Sequence, residues 1–374
     1  MARERYAAWL TTIGAVVALS LVTAQGAAAD LQTDLDAALQ HGREPTGAPA
    51  ATGAVMRCGQ LLWSGADGVL DVNSGRPATT SARFAIASST KPVTATLIMV
   101  LVQRKKLSLT TRLARFYPHL PKAQKITVRM LLDHTSGLND YFESAHVNDL
   151  IAKHPDHRWK RSEVIKAIKR TLFKPGSKFS YSNSNYVVLG GIVEKLTHGT
   201  IEQAFHSRIA APLGLTDSTF AYHPEQSDLF AHPYVRGSGG LEDQFVPGVG
   251  LPSDFWGPVW TDGGLASTAP DLARFGDGLF EAKLLSAKTL KTMTRLDRFG
   301  HGLGVFPLRY AGRRWLGHNG RYAGYESEVW RDAQRRVTIA VTTNVGSSSL
   351  ATWEQLVTAY DRDEPSTPPC PAPK

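Results

Sequence analysis

A serine and a lysine three residues apart are the first side chains in this sequence that could do chemistry together. Ser88 ends a short apolar run that begins at Phe84, and Lys91 precedes a long hydrophobic segment, 93–101. Positions i and i+3 share one face of a helix, so the spacing predicts that the Lys91 amine lies beside the Ser88 hydroxyl. A lysine enclosed by apolar residues loses proton affinity, which makes Lys91 a candidate base and Ser88 a candidate nucleophile.

The Ser-x-x-Lys spacing has a simpler interpretation as well. The pattern is short enough to arise by chance in a chain of 374 residues. Ser88 could cap a helix while Lys91 extends its ammonium group to solvent. The catalytic interpretation therefore depends on other motifs in the chain.

Two further short motifs carry polar side chains that suit the same kind of site. Tyr181-Ser-Asn183 lies just before a predicted helix, and His318-Asn-Gly320 lies on a late predicted strand. Alone, the first could be a turn and the second could be the edge of a strand. Gly320 would allow the strand to approach a substrate closely. The order of the three motifs and the segments that flank them carry more information than any one of them.

In this order and spacing the sequence resembles the family of serine β-lactamases and penicillin-binding proteins. The closer branch contains class C β-lactamases, D-alanyl-D-alanine carboxypeptidases and related esterases. The resemblance covers roughly residues 50–360 and includes two supporting segments, 126–138 (ITVRMLLDHTSGL) and 263–275 (GGLASTAPDLARF).

The resemblance implies a role for each motif residue. Ser88 would attack a carbonyl carbon and form an acyl-enzyme, and Lys91 would keep its hydroxyl deprotonable. Tyr181 would share the base role and relay a proton to the leaving group, with the pKa of its phenol lowered by the nearby ammonium group. Asn183 would hold the lysine or the substrate amide, and His318 would orient the tyrosine or the substrate.

On the same resemblance, substrate choice depends on the third motif. The oxyanion would be held by the backbone N–H groups of Ser88 and Arg321, with Gly320 allowing close approach. Class C β-lactamases usually carry Lys-Thr-Gly here, whereas His318-Asn-Gly320 is closer to the His-x-Gly of some carboxypeptidases and esterases. Such carboxypeptidases often hold the terminal carboxylate with a nearby arginine, for which Arg309 and Arg321 are the candidates.

Asp133 and His134 offer a competing interpretation, a Ser-His-Asp triad with Ser88. The family pattern instead implies that this segment is a structural helix end. The sequence has no Gly-x-Ser-x-Gly elbow of the α/β-hydrolases. It also lacks the Ser-Asp-Asn and Lys-Thr-Gly pair of class A β-lactamases.

Strand patterns at both ends of the sequence enclose a mostly helical middle. Apolar and polar residues alternate between 54 and 72 and again between 302 and 343. With the resemblance, they predict an α+β fold of the β-lactamase/transpeptidase type. One antiparallel sheet is built from both chain ends and flanked by helices, with a mostly helical lobe inserted. The predicted parts are an α/β lobe at 30–105 and 296–362, the helical lobe at 106–295, and a Pro-rich tail at 363–374.

A loop-rich stretch, 222–260, is predicted to rim the site, because long irregular segments in enzymes often carry binding residues. Its aromatic residues Phe255, Trp256 and Trp260 could line an acyl pocket or pack into the core. The sequence shows no Cys/His cluster for zinc, and neither a metal nor a cofactor is predicted.

The first 29 residues have the composition of a secretory signal peptide. Arg3 and Arg5 precede an apolar stretch at 9–24, and three alanines at 27–29 offer a cleavage site. A single N-terminal membrane helix is the alternative. No later stretch is long and apolar enough to span a membrane. The protein is therefore predicted to be secreted or otherwise extracytoplasmic.

Charge and cysteine content fit that location. The formal net charge is +9, which for an exported protein suits an anionic cell surface or simply solubility. Lysine and arginine are scattered rather than set on one recognition helix, which argues against nucleic acid as a partner. Cys58 and Cys370 could remain free or bridge two chains, but an intramolecular disulfide is the prediction for an oxidising compartment.

The sequence thus predicts an exported serine hydrolase that works through an acyl-enzyme on Ser88. The first hypothesis is a D-alanyl-D-alanine carboxypeptidase-like enzyme that acts on peptidoglycan peptides, with β-lactams as further ligands. The second is an esterase or class C-like β-lactamase with the same residues. The third is a non-catalytic protein that binds peptidoglycan or penicillin.

Overall fold

A computed structural model describes residues 30–154, 157, 159–220, 224–246, 250–251, 257–346, 349–364 and 370. The predicted signal peptide, residues 1–29, lies outside this range. So do Phe255, Trp256 and most of the Pro-rich tail. Within the described part of the chain, no helix has the length and apolar character needed to cross a lipid bilayer.

Seven antiparallel strands from the two ends of the chain form one sheet. They are β1 (Ala50–Arg57), β2 (Gln60–Asp71), β3 (Arg76–Pro77), β8 (Phe306–Tyr310), β9 (Arg313–Tyr322), β10 (Tyr325–Asp332) and β11 (Val337–Thr343). Their order across the sheet is β3-β2-β1-β11-β10-β9-β8. The two sets join where β1 pairs with β11, from Ala51 opposite Thr343 to Arg57 opposite Val337. The predicted sheet built from both chain ends is confirmed.

Helices cover both faces of this sheet. Alternate residues of a strand point to opposite faces, so β1 sends Val55 to one side and Ala54 to the other. On the Val55 side lie α1 (residues 30–43) and α11 (Ser349–Asp363), packed around buried tryptophans that include Trp353. On the Ala54 side lie α2 (Thr90–Gln103) and α9 (Ala269–Phe280).

The middle of the chain contains most of the helices, separated by long turns and loops. Its other helices are α3 (Val128–Leu132), α4 (Ala145–Lys153), α5 (Arg161–Lys166), α6 (Asn183–Thr197), α7 (Ile201–Phe205), α8 (Ala211–Leu213) and α10 (Ala287–Thr294). Two short strand pairs interrupt them, β4 (Phe84–Ala85) with β7 (Ala266–Ser267) and β5 (Tyr234–Gly237) with β6 (Gly240–Asp243). The second pair is a hairpin inside the stretch predicted to be loop.

One strand boundary was wrong. The strand predicted to begin at 302 begins at Phe306, because the preceding residues form a turn. Gly304 has a left-handed φ of +77°, and the Gly302 N–H donates to the Val305 carbonyl. Glycine takes this conformation without steric cost, so residues 302–305 form a turn and β8 begins after it.

A disulfide joins Cys58, which follows β1, to Cys370 near the C-terminus. The predicted intramolecular pairing is confirmed. The Cys58 N–H also donates to the Arg336 carbonyl just before β11. The disulfide therefore fastens the tail to the edge of the region where the two chain ends meet.

Candidate active site

The predicted nucleophile lies in the turn that leads into the buried helix α2. Just before Ser88, Ala87 has a left-handed φ of +47°, a conformation that a non-glycine residue keeps only when its surroundings enforce it. Here β10 does so. The Ser327 hydroxyl donates to the Ile86 carbonyl at 2.7 Å and lies 2.8 Å from the Ser89 hydroxyl. The backbone is thus held on both sides of Ser88.

Lys91 is fully buried at the centre of the site. Its Nζ lies 2.9 Å from Ser88 Oγ, 2.8 Å from Asn183 Oδ1 and 2.6 Å from the backbone carbonyl of Asp262. Burial disfavours the charged ammonium form and lowers the pKa of Lys91 to about 8, against the attraction of nearby carboxylates. A lysine with this pKa has a substantial neutral fraction near neutral pH, so it can accept the Ser88 proton.

Tyr181 also contacts the nucleophile, and its hydroxyl donates to Ser88 Oγ at 2.8 Å. The residue is 37% exposed, but its hydroxyl group faces inward into the site. Burial raises the pKa of Tyr181 above its usual value, and its hydrogen bond to Ser88 only partly opposes this. The expectation of a lowered pKa was wrong, because loss of phenolate solvation outweighs the benefit of a neighbouring lysine. A phenol that stays protonated suits proton donation and not the base role.

Asn183, the first residue of α6, connects Lys91 to a carboxylate. Its Oδ1 accepts from the lysine, while its Nδ2 and its backbone N–H both donate to Asp140 Oδ2, at 2.9 and 2.8 Å. These bonds fix which end of the amide faces the lysine. Asp140 was missed from the sequence, although it follows the supporting segment 126–138 almost directly.

Asp262 is a second missed residue, and it directly precedes the other supporting segment. Its carboxylate accepts from the Tyr141 hydroxyl and from the Trp260 backbone N–H, each at 2.9 Å. These bonds hold its carbonyl against Lys91. Trp260 itself is buried, with the Arg161 guanidinium 4.0 Å from its ring centre. Of the two roles predicted for Trp260, the structure shows core packing.

His318 lies on β9 near Tyr181, and its side chain is buried. Its ring centre is 6.4 Å from that of Tyr181 and 4.9 Å from that of Phe306. Burial and the nearby Lys91 lower the pKa of His318 to about 3, so the imidazole is neutral. Its Nε2 has no hydrogen-bond partner among the described residues. A neutral His318 can orient a neighbour or a substrate atom, but it supplies no positive charge.

Gly320 passes so close to the nucleophile that no side chain fits there. A Cβ atom at this position would lie 2.1 Å from the Ile86 carbonyl oxygen and 2.8 Å from the Ser88 nitrogen. The backbone of β9 therefore runs directly beside the Ser88 N–H, at the place where the oxyanion donors of Ser88 and Arg321 are predicted. The Arg321 side chain is 68% exposed, and its Nε pairs with the buried carboxylate of Glu326.

The two arginines proposed for a substrate carboxylate differ in position. The register of β8 and β9 puts Arg309 opposite Arg314. Gly320 is six residues further along β9, a distance of roughly 20 Å at the usual rise of a strand. Arg309 is too far from the nucleophile to serve, so that candidate was wrong, and Arg321 is the arginine beside the site.

The alternative triad does not form. The His134 ring stacks on the Tyr181 ring, with centres 4.4 Å apart and planes 20° apart, and its Nδ1 accepts from the Ser182 N–H at 3.1 Å. Asp133 instead accepts from the Thr135 hydroxyl at 2.6 Å. The segment follows the end of α3, as the family pattern implied. The His134 ring packs against the Tyr181 ring and so supports it.

One group of potential metal ligands lies elsewhere. Single ligand atoms of Asp71, His232 and Asp243 lie within 4.8 Å of one another. Each carboxylate already accepts hydrogen bonds that close a turn, Asp71 from Ser74 and Asp243 from the Phe245 N–H. His232 Nδ1 lies 2.8 Å from Asp243. We interpret the group as structural, and no metal is needed for the chemistry of the serine site.

A serine activated by a buried amine, beside a strand that can hold an oxyanion, is the arrangement of an enzyme that transfers acyl groups. The fold and this site have the arrangement found in serine hydrolases. The sequence profile described as Beta-lactamase matches residues 35–359. The chain belongs to this family of serine β-lactamases and penicillin-binding proteins, which confirms the resemblance read from the sequence.

Individual relatives carry several activities. The chain is 28% identical over 265 residues to the putative penicillin-binding protein PbpX of Bacillus subtilis, covering 70% of this chain and 63% of that one. It is 30% identical over 303 residues to esterase EstB of Burkholderia gladioli, covering 74% and 76%. D-amino acid amidase from Ochrobactrum anthropi SV3, in its complex with D-phenylalanine, matches with a TM-score of 0.76 at 24% identity, over 89% of this chain and 99% of that one. That last likeness shows the fold.

The rate of acylation should rise with pH. Because the folded protein lowers the pKa of Lys91 from 10.5 to about 8, the neutral amine increases about tenfold per pH unit below that value and then levels off. His318 stays neutral throughout this range. We expect log(kcat/KM) for an ester or β-lactam to rise with a slope near one and to bend at about pH 8. A flat profile below pH 8 would exclude Lys91 as the base.

Proposed function

We propose that this protein is an exported serine hydrolase of the D-alanyl-D-alanine carboxypeptidase type, which removes the terminal D-alanine from peptidoglycan peptides. The observation that carries the proposal is that Lys91 Nζ and the Tyr181 hydroxyl both contact Ser88 Oγ, at 2.9 and 2.8 Å. Relatives described as penicillin-binding protein 4* and D-aminopeptidase support a substrate with D-configured residues or a β-lactam ring.

The reaction follows from the protonation states. Lys91 accepts the Ser88 proton while Oγ forms a bond to the carbonyl carbon, and the oxyanion lies against the backbone N–H groups of Ser88 and Arg321. Tyr181 then gives its proton to the leaving amine as the C–N bond breaks, and the lysine ammonium replaces it. In the second half of the reaction, water attacks the carbonyl carbon of the acyl-enzyme and gives a proton to Tyr181, which passes its own proton to Lys91. Lys91 then returns a proton to Ser88 Oγ as the ester bond breaks and the serine is freed.

Arg321 is the cation placed to hold the carboxylate of a terminal D-alanine. It follows Gly320 directly, and Glu326 engages its Nε, which leaves the two terminal nitrogens for a substrate. A guanidinium group binds a carboxylate through two parallel hydrogen bonds. The buried Glu326 carboxylate thereby orients the arginine.

An esterase is the second candidate, and the electrostatics of the third motif favour it. His318 is neutral, and Glu326 offsets much of the Arg321 charge. Such a site offers limited attraction to a free carboxylate, whereas a neutral ester needs none. The relative described as esterase EstB is consistent with this candidate.

Three substrates distinguish these candidates. The protein without residues 1–29 is assayed with an acetylated D-Ala-D-Ala peptide, nitrocefin and a p-nitrophenyl ester, beside Ser88→Ala. Release of D-alanine by the wild type alone would support the carboxypeptidase. Ester turnover without D-alanine release would support the esterase, and nitrocefin turnover alone a class C-like β-lactamase. If nothing turns over and fluorescent penicillin labels no serine, a non-catalytic binding protein remains.

Replacing Arg321 with glutamine should raise KM for the D-Ala-D-Ala peptide by about tenfold, since a charged hydrogen-bonded contact is worth roughly 1.5–3 kcal/mol. Turnover of a neutral ester should change little, because the oxyanion donor at this position is the backbone N–H. Arg309→Gln is the matched control, with an exposed arginine at the far end of the neighbouring strand. Equal losses on both substrates would contradict the carboxylate role.

Export is part of the proposal. It is supported by the apolar stretch at 9–24 and by the disulfide between Cys58 and Cys370, since disulfides form mainly in oxidising compartments. The mass of the protein recovered from the culture medium or periplasm tests it. A chain that begins at Asp30 is expected, and an uncleaved cytosolic chain would contradict export.

A further inference from the structure

A concave basic surface lies on the helical side of the molecule. We call it the basic groove, with a volume of about 530 Å³ and five cationic lining residues, Arg129, Lys288, Lys291, Arg295 and Arg298. Lys288 and Lys291 lie about one turn apart on α10, and Arg295 and Arg298 follow in the segment after the helix ends at Thr294. The charges of the chain are therefore less evenly scattered than the sequence alone indicated.

The cations of the basic groove form no ion pairs with the described residues. All five are exposed, and none has a carboxylate partner within ion-pairing distance among the described residues. Asp297, the acidic residue in the lining, accepts from the backbone N–H groups of Phe299 and His301. Arg335, by contrast, pairs with three carboxylates. Five unpaired cations around one concavity repel one another, so a bound polyanion would relieve that repulsion.

The basic groove and the active site share one loop. Arg298 donates to the Gly176 carbonyl, and Tyr181 follows five residues later, at most about 18 Å along an extended chain. Between them, the Phe179 ring packs against the His301 ring, with centres 4.0 Å apart. The basic groove is therefore joined to the active site by a short segment of chain.

We propose that the basic groove binds a linear phosphodiester polymer, an anionic chain of the cell envelope. Such a polymer repeats single negative charges along a flexible backbone, which matches a row of separate cations better than one compact anion does. Arginine and lysine both bind phosphate oxygens strongly. Binding at this surface does not involve Ser88, so the proposal goes beyond the proposed hydrolase activity, but the choice of a cell-envelope polymer rests on the proposed export.

Two other polyanions fit the basic groove less well. Single-stranded nucleic acid is usually held by bases stacked on aromatic rings, and no aromatic residue lines the groove in the described part of the chain. A membrane surface requires exposed apolar anchors, and none of the exposed large hydrophobic side chains of the described residues belongs to the lining.

Binding is measured with Ser88→Ala protein and fluorescently labelled poly(glycerol phosphate), so that no turnover interferes. The double variant Lys291→Glu/Arg295→Glu should weaken binding at least about tenfold and reduce the slope of log K against log salt by about two, because that slope counts phosphate contacts. The matched control is Arg309→Glu/Arg314→Glu, two exposed arginines opposite each other on β8 and β9. It changes the net charge equally and should keep the affinity within about twofold.

The other outcomes overturn the proposal. Equal losses in both double variants would mean that binding reflects net charge only. Tighter binding of single-stranded DNA of matched charge, with the same dependence on α10, would make the groove a nucleic-acid surface. If only phosphatidylglycerol vesicles showed this dependence, the groove would be a membrane surface. Should the charge-reversed groove variant unfold, Lys288→Gln/Lys291→Gln gives the same test, with a smaller expected loss.

Discussion

Replacing Lys91 with methionine should slow acylation of Ser88 by about 10³–10⁴-fold, since a positioned base contributes up to this much. Methionine matches the length of the lysine stem and suits a fully buried position. It cannot accept a proton, and it leaves the Asn183 amide oxygen and the Asp262 carbonyl without their donor. The fold should survive because a costly buried amine is also removed. The rate is measured by stopped-flow labelling with a fluorescent penicillin.

Lys195→Met is the control for this variant. It makes the same change on α6, where the lysine lies 3.8 Å from the centre of the Tyr117 ring and donates to the Phe116 carbonyl. It should acylate at the wild-type rate. Thermal unfolding of both variants separates loss of fold from loss of chemistry. A folded Lys91→Met protein that acylates within tenfold of wild type would mean that another group takes the serine proton.

Replacing Gly320 with alanine should lower kcat for an ester by about 10²–10³-fold, which is the usual cost of losing an oxyanion donor. The added Cβ would meet the Ile86 carbonyl oxygen at 2.1 Å and the Ser88 nitrogen at 2.8 Å. Both contacts are far inside van der Waals distance, so β9 and the nucleophile turn must move apart. KM should change much less, because the groups that bind the substrate elsewhere are untouched.

Gly239→Ala is the matched control, since the Cβ it adds meets no atom within 4 Å and its backbone is not left-handed. It should leave kcat unchanged. If Gly320→Ala retained more than a third of the wild-type kcat, the strand would not supply an oxyanion donor. The comparison requires near-equal unfolding temperatures for the two proteins.

The sequence was sufficient for the centre of the site because its geometry there is local. Ser88 and Lys91 are three residues apart, and the short helical turn that leads into α2 brings them together. Tyr181, Asn183 and His318 came through the family resemblance, since no local rule brings such distant segments together. Asp140 and Asp262 were missed for the same reason: each matters only through a hydrogen bond formed in the folded chain.

Burial lowers the pKa of Lys91 as the apolar segment after it predicted, but the effects of burial on Tyr181 and Trp260 could not be predicted. The pKa of Tyr181 was expected to fall and instead rises, because the degree of solvent exclusion around its hydroxyl is a tertiary property. Trp260 could have lined a pocket, but Arg161 stacks on it within the core. Both outcomes depend on neighbours contributed by other parts of the chain.

The bond from the Ser327 hydroxyl to the Ile86 carbonyl joins positions 241 residues apart. A chain still being synthesised carries Ser88 and Lys91 long before β10 has emerged. Until then the Ala87 turn lacks its bond from Ser327, and no β9 backbone lies beside the serine nitrogen. Acylation of Ser88 should therefore begin only when the two ends of the polypeptide have closed into one sheet.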